Sequence, residues 1–203
     1  MTQKNSLHWN EIYSKKVEND LSWFQPKPTI SVYFIEKYGN SSESFIDIGC
    51  GTSTLVDELV KRGFENLTLL DISAQALKIV KKRFPSENRI TYIASDVLQW
   101  QPEEDFQIWH DRAVFHFLTR PEEISTYQIL AKSRISHGGI LILGTFALDG
   151  PTSCSGYRVS QYSAETIRKL FEPEFELIDS LEEVHETPWQ SKQNFTWTAF
   201  RRV

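Results

Sequence analysis

The stretch Phe45-Ile46-Asp47-Ile48-Gly49-Cys50-Gly51-Thr52-Ser53 decides how the chain is read. Ser44 to Ile48 is a short apolar run of the kind that forms a buried strand, and it breaks at the turn Gly49-Cys50-Gly51. Beyond the turn, Leu55, Val56, Leu59 and Val60 recur at helical spacing until Gly63 stops them. A glycine turn between a strand and a helix lets a nucleotide-like ligand approach the backbone closely. The same glycines also serve a tight turn with no ligand, so the pattern needs support from elsewhere in the chain.

Support comes from Asp71, which closes a second apolar run, Asn66 to Leu70, and stands 22 residues after Gly49. A carboxylate at that place accepts hydrogen bonds from ribose hydroxyls. A dinucleotide fingerprint requires G-x-G-x-x-G, and here the sixth position is Thr54. Asp47, two residues before the first glycine, would repel a pyrophosphate and would suit an ammonium or sulfonium charge.

Outward from these motifs, short apolar runs alternate with helical periodicity, which is the sign of β-α-β units in a parallel sheet. Ser73 can cap a helix carrying Leu77, Val80 and Phe84, and further strands follow at Arg89 to Ala94 and Phe106 to His110. Pro121 opens a helix with Ile124, Tyr127, Ala131 and Ile135 on one face, and Ile140 to Thr145 is the next strand. A short helix runs from Ser163 to Phe171, and final strands near Phe175 to Val184 and Phe195 to Arg201 pair antiparallel. The expected fold is α/β, a doubly wound, mostly parallel seven-stranded sheet with an antiparallel last strand. Residues 1–203 read as one domain, with residues 44–203 as its core and 1–43 as a short helical N-terminal cap. Leu7 to Lys15 and Thr29 to Tyr38 are the cap's helical candidates, placed over the carboxyl ends of the strands. Leu148 to Tyr162 is a long Ser-, Gly- and Pro-rich loop, of a length that is often functional. In it Tyr157 and Tyr162 can wall a pocket, and Arg158 can bind a carboxylate or phosphate or pair with a nearby acid.

Composition narrows the function classes. With 40% hydrophobic and 24% charged residues, the 203-residue chain has the profile of a soluble globular protein. Of its net charge of −5, the segment Glu165 to Glu186 alone supplies −6, eight acids against two bases. No basic run suits a phosphate backbone, so no nucleic-acid partner is expected. No secretory signal opens the chain, and its longest apolar run, Ile140 to Leu148, is too short to span a bilayer, so no membrane association and a cytoplasmic location are expected. Cys50 and Cys154 read as free thiols, and no Cys/His spacing suggests a metal.

Taken together, Asp47, Gly49 and Gly51, then Asp71, then Asp96 in Ser95-Asp96-Val97, resemble the ordered motifs of the class I, seven-strand S-adenosylmethionine-dependent methyltransferases. The resemblance covers about residues 44 to 202, and Ser53 departs from a glycine common in the first motif. It implies S-adenosylmethionine as cofactor, with Gly49, Cys50 and Gly51 under its methionine part and Asp47 near its amino group. Asp71, with Ile72 beside it, would hold the ribose diol, and Asp96 and the Val97 amide would meet the adenine. In the cap, Trp9 and Tyr13 resemble the W-x-x-x-Y opening of several such enzymes, where an aromatic helix closes over the cofactor.

The segment Ile108 to His116 ends the fourth strand, which in this fold faces the transferable methyl. Its Asp111-Arg112-Ala113 resembles a segment of thiopurine methyltransferases and of some protein lysine methyltransferases, except that Ala113 replaces a glycine. His116 is the leading candidate for a general base, because an unperturbed imidazole titrates near neutrality. His110 and Asp111 are the alternatives, and Arg112 can hold Asp111 as an ion pair. The acceptor is expected to be a small molecule or, second, a protein side chain. An inactive cofactor-binding module and an NAD-dependent enzyme are the competing readings.

Overall fold

The computed structural model describes residues 3–203. Nine strands and six helices follow in chain order: α1 Gln3–Lys15, α2 Thr29–Tyr38, β1 Ser44–Ile48, α3 Leu55–Lys61, β2 Asn66–Asp71, α4 Ala74–Arg83, β3 Ile90–Ala94 and β4 Phe106–Arg112. Then come α5 Pro121–Arg134, β5 Ile135–Phe146, β6 Ser153–Cys154, β7 Tyr157–Arg158, α6 Ala164–Phe171, β8 Phe175–Glu186 and β9 Lys192–Arg202.

Seven strands form one sheet in the order β3-β2-β1-β4-β5-β9-β8. Strands β1 to β5 pair in parallel, and β9 enters antiparallel between β5 and β8. This is the expected doubly wound sheet, with its chain reversal between β1 and β4. Ligands of open α/β sheets bind outside the carboxyl ends of the strands at such a reversal. One face of the sheet buries Phe34, Phe45, Ile108 and Trp197 with α2 and α3, and the other buries Ile46, Trp109, Phe200 and Tyr127 with α5 and α6. Among the described residues no helix is long and apolar enough to cross a membrane.

Several boundaries differ from the sequence reading: β4 runs on to Arg112, β8 to Glu186, and β9 begins at Lys192. The N-terminal helix begins at Gln3 rather than Leu7, and β5 begins at Ile135 because Ile135 already pairs with Phe106 before the turn at Gly138. Inside the expected loop 148–162, β6 and β7 form a two-stranded hairpin through Ser153–Arg158 and Cys154–Tyr157. A two-residue ladder is too short to leave an alternating pattern in sequence.

Alternation along β4 sends neighbouring side chains to opposite faces. Asp111, fully buried, turns toward α5: its Oδ2 accepts from the Tyr127 hydroxyl at 2.7 Å and its Oδ1 from the amides of Val114 at 2.9 Å and Phe115 at 3.2 Å. It therefore fixes the turn after β4 to the helix beyond it. Burial raises its pKa to about 6, partly offset by these hydrogen bonds. In the unfolded chain an Asp titrates near 3.9, so between those two values the folded state holds a proton that the unfolded state has lost. Stability contributed by this group falls as pH rises from about 4 through about 6. Asp111→Asn, which keeps an acceptor for the amides but turns an NH2 toward the Tyr127 hydroxyl that donates to Oδ2, should remove this pH dependence. Asp111→Ala should lose about 2–4 kcal/mol, as buried donors are left without acceptors. Urea midpoints measured at several pH values check both outcomes.

Candidate active site

A cavity of about 430 Å³ opens at the carboxyl ends of β1, β2 and β4, within the range of small-molecule sites. A second space of about 50 Å³ lies beside it under the glycine turn. Asp71, Ile72, Asp96 and Val97 line the larger cavity together with Gly49, and Trp9 and Tyr13 of α1 cover it. Residues brought together from α1 and the ends of three strands thus match seven of the ten expected cofactor positions.

The turn is built on two glycines in the left-handed region, at φ +65° for Gly49 and +53° for Gly51. A Cβ on Gly49 would stand 2.1 Å from Val114 Cγ2, and one on Gly51 would stand 2.5 Å from the Tyr13 hydroxyl. Both positions therefore need glycine for conformation and for space. The amides of Gly49 and Cys50 donate to the Leu70 carbonyl at 2.7 and 3.1 Å, tying the turn to β2.

Asp71 is buried, and its two oxygens accept from the Gly51 amide and the Ser73 amide, each at 2.7 Å. Burial raises its pKa to about 6, opposed by those two hydrogen bonds and assisted by the nearby Asp47 charge. Asp96 Oδ1 accepts from the Leu98 amide at 3.0 Å, which turns the carboxyl at the end of β3 into a fixed position. Two carboxyl groups at the ends of adjacent strands, above a glycine turn, suit the donors of a ribose diol and an exocyclic amine.

Asp47, Cys50 and Gly51 border the smaller space instead. His110 Nδ1 lies 2.7 Å from Asp47 Oδ1 and its Nε2 lies 3.0 Å from the Ser31 hydroxyl, so both ring nitrogens are engaged. Cys50 donates its thiol toward the Gly51 carbonyl at 3.6 Å and packs into the core, where burial pushes its pKa up.

None of the three candidates for a base lines the larger cavity. His116 is fully buried, stacked on Phe146 at 4.4 Å, and its Nδ1 accepts from the Phe146 amide at 3.3 Å. Burial, with the charge of Arg112 second, pushes its pKa down to about 3, the wrong direction for proton abstraction at neutral pH. His110 is consumed by Asp47 and Ser31, and Asp111 by the turn and Tyr127. The geometry gives all three structural or positioning roles. Nor does Arg112 hold Asp111: adjacent strand residues point to opposite faces, and Arg112 Nη1 instead donates to the Trp23 carbonyl at 2.9 Å.

On the acceptor side Tyr157 and Arg158 line the cavity as expected, whereas Tyr162 packs into the core against Phe115. None of the eight acids of the segment from Glu165 to Glu186 reaches the lining. Phe117, Phe146, Gln193 and Phe195 complete the wall without having been expected. Phe146 and Phe195 face each other across the β5–β9 register. No local motif marks them, because their meeting depends on β9 inserting beside β5.

Residues 45–133 match the family model described as "Methyltransferase domain". Among curated proteins the chain is similar to the eEF1A lysine and N-terminal methyltransferase of Bos taurus, 24% identical over 139 residues, covering 68% of this chain and 20% of that protein. It is similar also to malonyl-[acyl-carrier protein] O-methyltransferase 2 of Ilyobacter polytropus, 27% identical over 119 residues, covering 57% of this chain and 44% of that protein. The chain thus spans less than half the length of these two relatives. Among solved structures, the N-methyltransferase NodS of Bradyrhizobium japonicum in complex with S-adenosyl-L-homocysteine superposes with a TM-score of 0.76 at 18% identity, covering 96% of this chain and 98% of that one. Sheet order, glycine turn and strand-end acids agree with the domain match, and the chain is similar in fold and in residues 45–133 to S-adenosylmethionine-dependent methyltransferases.

Proposed function

We propose that this protein binds S-adenosylmethionine in the larger cavity and transfers its methyl group to a small-molecule acceptor. The observation that carries the reading is Asp71, a buried carboxylate held by two backbone amides with its face toward the cavity. A carboxylate offers about four lone-pair sites, so two accepted amides leave capacity for a ribose diol. When bound, the cofactor supplies an electrophilic methyl carbon on a sulfonium.

The chain's own residues bind, orient and exclude water. Gly49 and Gly51 bring backbone close beneath the ligand, Asp71 holds the ribose, and Asp96 with the Val97 amide receives the adenine. Asp47, fixed by His110, sets the field under the turn in favour of a positive charge. Trp9 and Tyr13 close the top, and Trp9 packs on Trp23 and Phe117 at 5.8 and 5.6 Å. In-line displacement gains chiefly from this alignment. No histidine lines the cavity among the described residues, which favours an acceptor whose nucleophile arrives without a proton to be removed.

Incubation with methyl-labelled S-adenosylmethionine and fractionated cell extract tests the acceptor class. Label is expected in the small-molecule fraction; label confined to protein would overturn that choice.

Cofactor affinity should depend on pH through Asp71. The ionised carboxylate is the better acceptor for two hydroxyl donors, so S-adenosylhomocysteine should bind about tenfold more weakly for each pH unit below about 6. Calorimetric titration of Asp71→Asn should show weaker binding at neutral pH with that dependence removed. Gly49→Ala, forced against Val114 at a positive φ, should lose S-adenosylhomocysteine binding by at least roughly tenfold. Wild-type affinity in this variant would count against the placement of the methionine part.

A further inference from the structure

The acceptor end of the cavity carries a positive charge that the cofactor roles leave unused. Arg112 lines both the cavity and the smaller space under the glycine turn, with its guanidinium 5.0 Å above the Phe195 ring and Nη1 on the Trp23 carbonyl. Its Nε and Nη2 are shielded from solvent and have no acceptor. Among the described residues no carboxylate oxygen comes within the 4.0 Å of an ion pair with it. Glu183 and Asp47 support its charge from further away, but Glu183 is engaged by Gln25 and Trp197, and Asp47 by His110. A sequestered guanidinium with free donors and no contacting anion is costly, and a planar anion is the partner its fork matches.

A second cation points the same way. Arg158, on β7, is exposed at the cavity lining and makes no ion pair among the described residues. The acids of the lining lie elsewhere: Asp71 and Asp96 belong to the nucleoside end, and Glu123 is held by Arg120 at 2.7 Å. Phe117, Phe146, Tyr157 and Phe195 line the same cavity as the two arginines, with Phe117 against Tyr157 and Phe146 against Phe195. A cationic acceptor such as a lysine ammonium would meet two positive charges there and no carboxylate.

We propose that the methyl acceptor is an anionic small molecule with a flat, unsaturated body, whose carboxylate docks on Arg112 and is drawn in past Arg158. This deepens the methyltransferase reading and rests on it. The anion is a handle for positioning, so the aromatic walls hold the body while the guanidinium fixes its far end.

Benzoate, benzamide and benzylamine serve as probes of one shape and three charges, titrated calorimetrically with and without saturating S-adenosylhomocysteine. Benzoate should bind at least roughly tenfold more tightly than benzamide, and benzylamine should not bind measurably. Arg112→Gln should abolish the benzoate preference while S-adenosylhomocysteine affinity stays within about twofold. Arg112→Lys, which keeps the charge without the fork, should retain part of the preference. Arg158→Gln changes only an exposed side chain; it should weaken benzoate by roughly threefold and flatten the dependence on salt.

Equal binding of benzylamine and benzoate would overturn the proposal, as would an unchanged preference in both arginine-to-glutamine variants. So would an Arg112→Gln protein that loses S-adenosylhomocysteine but keeps its decarboxylated analogue, since Arg112 would then serve the cofactor's own carboxylate. Failure of the wild type to bind S-adenosylhomocysteine would overturn the cofactor reading, and the benzoate preference measured without it would still decide this one.

Discussion

The carboxylate of Asp71 joins the glycine turn to the start of α4, and through Ser73 it reaches α1. One oxygen holds the Gly51 amide of the turn after β1, and the other holds the Ser73 amide at the start of α4. Ser73 in turn caps α4 by accepting from the Ala76 amide, and its hydroxyl donates to Asn10 Oδ1, which also accepts from the Gln75 amide. Glycine turn, helix start and the α1 cover are thereby anchored within one hydrogen-bonded cluster. The cost of burying the charge is visible in its raised pKa of about 6, and the amides offset only part of it. Two hydroxyl donors on the same carboxylate would offset more of that cost.

Strand β4 divides labour by parity. Trp109 and Asp111 face α5, where the Trp109 indole donates to the Tyr127 hydroxyl at 3.0 Å and that hydroxyl donates to Asp111. His110 and Arg112 face the other side, toward Asp47 and the Trp23 loop. One face thus holds a closed network with every member engaged. The other delivers an imidazole that fixes the acid of the glycine motif and, two residues on, a guanidinium that has donors to spare. A sequence carrying His110-Asp111-Arg112 shows three ionisable groups in a row, but only the period of two tells which neighbour each can reach.

Much of the fold was legible because its signals are local. Apolar runs between glycine and proline punctuation mark the strands, Ser73 and Ser163 mark helix starts that both prove to be capped by their hydroxyls, and Asp47, Asp71 and Asp96 recur at strand ends. Seven of the ten expected cofactor positions meet at one cavity for the same reason. The base was not legible, because residue type says what a histidine can do and burial decides what it does. His116 carries the right ring, yet it lies beneath Phe146 with its Nδ1 committed to a backbone amide. The −6 segment was likewise ambiguous in sequence. Much of it lies on edge strand β8, whose Asp179 is held by Lys37 and Tyr38, and on α6, where Glu165 and Glu172 bracket Arg168, so its charge stays off the cavity lining.

The two ends of the cavity are encoded in different ways along the chain. The glycine turn and the strand-end acids Asp71 and Asp96 lie inside residues 45–133, where the methyltransferase domain is matched. Beyond that stretch lie Phe146, the β6–β7 hairpin with Tyr157 and Arg158, and Phe195 of β9, and before it lie Trp9, Tyr13 and Trp23. Of the residues that shape the acceptor end, Arg112 and Phe117 alone among those discussed fall inside the match. This wall rests on long-range placement: β9 must insert beside β5 to set Phe195 opposite Phe146, and its ring then lies under Arg112. The same insertion puts Trp197 against Phe34 and His110, so the strand that walls the acceptor end also packs the imidazole that fixes Asp47.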